Sequence, residues 1–345
     1  MKKKILTLAL ALTMVVSMSA CGKKADATSD DSAQAAASTE SEDSNLTEVT
    51  LGTVAWPTNM MFYLAQEKGI FKANGLEVKV QEFSSTTDSS SAFIGGKTDF
   101  CTYASSETIS PYVEGADFSI VLVTDKSNGC EGLVAKSDIK SVEDLKGKTI
   151  ATQLYSVDHM FLLSLLADHG MTEKDVNIVD MSIQEAGNAF VAGQCDAACI
   201  WDPYFSQAVD AGGTVLYSTK DNPDLITDVL AANKTLCKEK PEVVKAMVKS
   251  YFEAVEYWKN NPDESNKFMA EKLGVDAEEF ASEMNGLLVP DEKGAVEVFT
   301  KADSYAYWGY TQNEVLSFMR ELGQIDKDID CGGMIDDSFV KSLAQ

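Results

Sequence analysis

Arginine is almost absent from this chain: of 345 residues, Arg320 alone carries a guanidinium. A cleft that grips an anion with a bidentate arginine fork is therefore nearly excluded. Histidine is scarce as well, with only His159 and His169. The seven cysteines (Cys21, Cys101, Cys130, Cys195, Cys199, Cys237 and Cys331) are scattered, and Cys195 and Cys199 are separated across a turn and strand rather than sharing a helix. No metal site is expected from such spacing, and the thiols read as small buried hydrophobes of undetermined pairing. Basic charge is short overall: 29 Lys and Arg against 54 Asp and Glu leave a formal net charge of −25. Nucleic acid needs a positive footprint, so no nucleic-acid partner is expected. Nothing resembles GxxxxGK[ST], which excludes a P-loop ATPase, and no cofactor is expected.

Apolar runs are short too. Ile5 to Ala20 is apolar but too short and wrongly flanked for a stable membrane span. With Lys2 to Lys4 before it, it reads as a targeting segment. It ends in Met18-Ser19-Ala20-Cys21-Gly22, which resembles a bacterial lipobox. The expectation is a signal peptide over 1–20, cleavage before Cys21 and lipidation of its thiol. Two or more acyl chains would hold the protein to the outer face of the cell membrane. The competing reading is an ordinary secretion signal with an incidental cysteine. Residues 21–46 are rich in Ser, Thr, Ala, Asp and Glu, lack aromatics, and read as a disordered tether reaching roughly 25–30 Å.

From residue 47 onward, strand and helix alternate, which specifies an α/β fold. The organising stretch is Leu51 to Phe71, LGTVAWPTNMMFYLAQEKGIF. A strand breaks at Trp56-Pro57, because the residue before proline is pushed out of helical geometry. Thr58 or Asn59 is then placed to cap a helix running to about Gly69. Similar units recur: Ser84 to Ser91 opens a second helix, Ser105-Ser106-Glu107 a third, and Ser156 an apolar helix to His169. Asp202-Pro203 breaks the strand Ala197 to Trp201. After Pro241 the chain is mostly helical. The length suits two α/β domains.

Four stretches together resemble the solute-binding proteins of ABC importers of the nitrate/sulfonate/taurine type, a group that includes binders of thiamine-pyrimidine precursors. They are Trp56-Pro57 with Phe62 to Ala65 and Lys68 to Phe71; Ser156 to His159 before Leu162-Leu163; Ala192-Gly193-Gln194 with Asp196 to Ala198 and Ile200 to Pro203; and Lys240 to Ala246 with Phe252 and Asn261-Pro262-Asp263. The resemblance implies a two-lobe, type II periplasmic-binding-protein-like fold. Each lobe would be a mainly parallel sheet flanked by helices, with the ligand between lobes. Lobe 1 is expected at 47–124 plus 226–345, and lobe 2 at 125–225. The implied partners are a small-molecule ligand, an ABC permease and its ATPase subunit, with the protein acting as a monomer.

On this reading the cleft is lined by Trp56 and Asn59 from the first turn, Ser85, Thr86 and Thr87 from the second, and Ser105, Ser106 and Glu107 from the third. Ser156 and His159 come from one further helix start, Trp201 and Asp202 from another. Glu131 and Asp228 add carboxylates; Asp228-Val229-Leu230 matches a stretch whose acid faces the amino group in the taurine-binding relatives. Hydroxyls and free N–H groups at helix starts suit an oxyanion. Ser and Thr before helices are equally expected to be plain caps. Indole faces hold flat ligands or cations. Carboxylates without arginine argue for a ligand with a positive or donor end, its acid end resting near Ser85–Thr87 or Ser105–Ser106. Asp158 would oppose an anion at the Ser156 helix. An enzyme like the thiamine-pyrimidine synthases is the alternative from another class, but their cysteine-rich motif is missing; a ligand-presenting sensor is a third reading.

Overall fold

A computed structural model describes residues 46–154 and 156–344. The expected signal peptide, Cys21 and the tether up to residue 45 lie outside the described residues. Eleven strands are described: β1 (Thr47–Thr53), β2 (Leu76–Glu82), β3 (Phe100–Ala104), β4 (Phe118–Ser127), β5 (Glu131–Ala135), β6 (Thr149–Thr152), β7 (Asn177–Asp180), β8 (Ala197–Trp201), β9 (Thr214–Ser218), β10 (Thr227–Asn233) and β11 (Leu287–Leu288). They form two sheets, ordered β11-β4-β10-β3-β1-β2 and β7-β6-β8-β5-β9. The expected parallel pairing is found at β2-β1-β3 and β7-β6-β8. β10, β4 and β11 join the first sheet antiparallel, as β5 and β9 join the second. Both sheets are therefore mixed. The reason is connectivity: β4 leads out of the first sheet through 128–130 and β10 returns to it through 219–226, so neighbouring strands run opposite ways.

In the second sheet successive residues feed opposite faces. Leu133, Ile150 and Ala197 belong to one apolar cluster; Val134, Ala151 and Ala198 belong to another. That is the two-residue period of a strand buried on both sides. The first sheet packs with Leu51, Phe100, Val121 and Leu230 in a single large cluster with the helix Pro241–Asn260. Val243, Val244, Met247, Val248, Tyr251, Phe252 and Val255 of that helix are buried at helical spacing, and Pro241 starts it with a preset φ. Further along, Phe318 and Leu322, at the end of the helix Trp308–Glu321, pack against the Leu133 cluster of the second sheet. Among the described residues no helix is long and apolar enough to cross a membrane.

Caps follow the sequence in part. Ser85 accepts a hydrogen bond from the Asp88 amide, and Ser156 accepts one from the His159 amide at 3.3 Å. Asn59 does not cap the helix Met60–Glu67. Its backbone is already helical, and its side-chain amide donates instead to the Val54 carbonyl at 3.2 Å.

Candidate ligand-binding site

The ends of β1, β3 and β8 and the starts of β5 and β10 converge on one cavity of about 230 Å³. Trp56, Asn59, Thr86, Glu131, Trp201 and Asp228 line it, together with Tyr103 and Glu107. Convergence has a simple origin. Parallel strands present their C-terminal ends to the same edge of a sheet, and the following turns stand there. Glu131 and Trp201 are direct partners across β5 and β8, so their side chains leave the sheet on one face.

The other expected residues sit elsewhere. Ser105 is 3% exposed and shares a 2.6 Å hydrogen bond with the Thr227 hydroxyl, while the Trp308 indole N–H donates to it at 2.8 Å. Ser105 and Ser106 line a second cavity, of about 300 Å³, between the helices Val157–Asp168 and Trp308–Glu321. The two cavities share Ala104, Val157 and Ile226 in their walls. Ser156 is spent on the Gln153 carbonyl and on capping. His159 is 2% exposed and lines neither cavity. Asp202 accepts from the Ser206 amide at 2.8 Å, also outside both walls. Ser156 and Asp202 turn toward their own helices because a backbone N–H with no intrahelical partner is the nearest donor.

Behind the cavity lies a group of acids. Asp125, missed by sequence reading, is 2% exposed on β4. It accepts hydrogen bonds from the Trp56 indole N–H at 3.3 Å and from the Thr58 hydroxyl. The signal for it was there: an acid directly following an apolar run, one residue past the expected lobe boundary at 124. Burial pushes Asp125 up to about 6. Burial likewise raises Asp158 to about 8; its carboxylate has no hydrogen-bond partner beyond its own backbone amide. Glu131 is held well above the usual carboxylate range by burial first, then by Asp158, Asp125 and Asp202. Asp228 is raised in the same way, by burial and then by Asp125, Glu131 and Glu107. Glu131 Oε2 and Asn59 Oδ1 are buried without any partner. Among the described residues, no lysine, arginine or histidine lines the cavity.

The six described cysteines are buried and unpaired, and burial pushes the Cys101, Cys237 and Cys331 thiols up to about 12. Among the described residues no group of three or more His, Cys, Asp or Glu is placed to hold a metal ion.

The profile of the family described as "NMT1/THI5 like" matches residues 56–265. The chain belongs to that family. Every ligand-binding candidate named above falls inside the matched span. A putative aliphatic sulfonates-binding protein of Bacillus subtilis is 26% identical over 289 residues, covering 82% of this chain and 84% of that protein. The taurine-binding periplasmic protein of Escherichia coli is 30% identical over 218 residues, covering 61% of this chain and 67% of its own. Among solved structures, the periplasmic aliphatic sulphonate binding protein SsuA from Escherichia coli superposes with a TM-score of 0.72 at 22% identity, over 84% of this chain and 97% of that one. The fold is thus the two-sheet periplasmic-binding-protein fold expected for the family.

Proposed function

We propose that this protein is the extracytoplasmic solute-binding subunit of an ABC importer, held to the outer face of the cell membrane by a lipid on Cys21. It captures a small organic solute, amino-sulfonate-like or otherwise nitrogen-containing, and delivers it to a permease driven by an ATPase. The observation that carries this is the cavity where Trp56 and Asn59 of one sheet meet Glu131 and Trp201 of the other, in a member of a family that includes sulfonate- and taurine-binding relatives. Strand ends from two sheets around one cavity suit a clamp that closes on its ligand. The side chains there suit recognition: carboxylates and indoles, with no nucleophile–base pair and no metal-ligand set among them.

The test is native mass spectrometry of the protein purified from its own host, with release of the occupant by unfolding. A small nitrogen-containing solute recovered intact, and raising the melting temperature when added back, supports the reading. An occupant that the protein converts, or none from any growth condition, sinks it.

A further inference from the structure

The family reading leaves the chemical class of the solute open, and the cavity's own hydrogen bonds narrow it. Its side-chain donors are largely spent within the protein. The Thr86 hydroxyl donates to Glu107 at 2.9 Å, the Tyr103 hydroxyl to Ser90 at 2.9 Å, and the Trp56 indole N–H to Asp125 at 3.3 Å. Thr102 and Thr53 share a 3.0 Å bond with each other. Its acceptors are not all spent: Glu131 Oε2 and Asn59 Oδ1, on wall residues 4% and 3% exposed, are buried with no partner. A buried acceptor without a donor costs free energy that only an incoming donor recovers.

The places expected to receive an acid group are already taken. Glu107 stands on the Thr86 hydroxyl at the start of the helix Thr86–Ile94. Ser105 is closed off by Thr227 and Trp308. The field at the start of the helix Val157–Asp168 is filled by the protein's own buried Asp158. An inorganic cation is disfavoured, because no three ligating side chains converge among the described residues.

We propose that the cleft selects a small organic cation without an acidic group, an amine or amidinium whose N–H donors meet Glu131, Asp228 and Asn59 and whose carbon body lies against Trp56 and Trp201. This rests on the binding-protein reading and sharpens it. A desolvated ammonium or amidinium is held by carboxylate and indole together, each more effective with water excluded. The 300 Å³ cavity shares the walls Ala104, Val157 and Ile226 with this cleft and adds the apolar side chains of Phe161 and Phe318.

Calorimetry on the stripped, refolded protein tests it, with benzylamine, benzamidine, 1,4-diaminobutane, taurine, ethanesulfonate and calcium chloride as probes. At least one amine or amidinium should bind tenfold or more tightly than taurine, and ethanesulfonate not at all. Glu131→Gln should weaken that cation tenfold or more while the empty protein's melting temperature holds or rises, which separates a lost contact from a lost fold. Taurine or ethanesulfonate binding best overturns the cation inference and leaves the importer reading standing. Calcium binding best overturns the inference as well. Failure of every probe, together with no small molecule recovered from native protein, rejects both.

Discussion

Asp125 and Asp228 are paired residue for residue across the antiparallel strands β4 and β10, so two carboxylates stand side by side in the strands that connect the two sheets. Like charges directly opposite on neighbouring strands destabilise a sheet. Among the described residues, no lysine, arginine or histidine stands in the cavity wall that Asp228 helps to form. The direction of both shifts is toward the protonated form: burial pushes Asp125 up to about 6, and Asp228 is raised well above the usual range by burial, with Asp125, Glu131 and Glu107 adding to it.

The first prediction is a pH profile. Between the unfolded carboxylate range near 4 and the raised native values, the native state binds more protons than the unfolded chain. Stability from these acids is complete at low pH and is lost as pH rises through about 6 for Asp125 and about 8 for Asp158. The melting temperature of ligand-free protein should therefore fall steadily from pH 5 to pH 8. A flat or rising profile would contradict the protonated acid group.

The second isolates one member. Asp158→Asn keeps the shape and removes a buried charge whose oxygens lack outside partners. At pH 8 the variant should melt higher than the parent by on the order of 5 °C, with the gap closing at pH 5. An equal shift at both pH values would mean the effect is packing and not ionisation.

The third separates structure from recognition at Ser105. Ser105→Ala strands the Thr227 hydroxyl and the Trp308 indole N–H in the core, at a cost of about 1–3 kcal/mol. The melting temperature should drop while ligand affinity stays within about twofold. Lost affinity at unchanged stability would return Ser105 to the ligand site.

The fourth concerns Trp201, half-buried on the cavity wall. Trp201→Ala should weaken a cationic ligand by roughly tenfold, the scale of one desolvated cation–π contact, with little change in stability. Thermal melts and calorimetry on the same preparation read both quantities. A large stability loss would identify the indole as core.

The fifth concerns anchoring. Cys21→Ser should abolish labelling by a radioactive fatty acid and release the protein from the membrane fraction. Unchanged, labelled, membrane-bound protein would remove Cys21 as the lipid site.

Local pattern determined much of this protein. The alternation of strand and helix, the break at Trp56-Pro57, the caps at Ser85 and Ser156, and the amphipathic run after Pro241 all lie in neighbouring residues, where spacing and backbone preference act. The ordered stretches also gave the family, and of the residues expected at the cleft the fold brings Trp56, Asn59, Thr86, Glu131, Trp201 and Asp228 to one cavity wall. Tertiary structure decided the rest. Whether Ser105 faces ligand or core depends on Thr227 and Trp308, more than a hundred residues away. Whether Asn59 caps a helix or leaves its side-chain oxygen buried and unpartnered depends on the Val54 carbonyl beside it in space. The pairing of Asp125 with Asp228 follows from the antiparallel register of β4 and β10, strands separated by the whole second sheet in sequence. Charge is legible from composition, but its cost and its partner are set by desolvation, which exists only once the chain has folded around it.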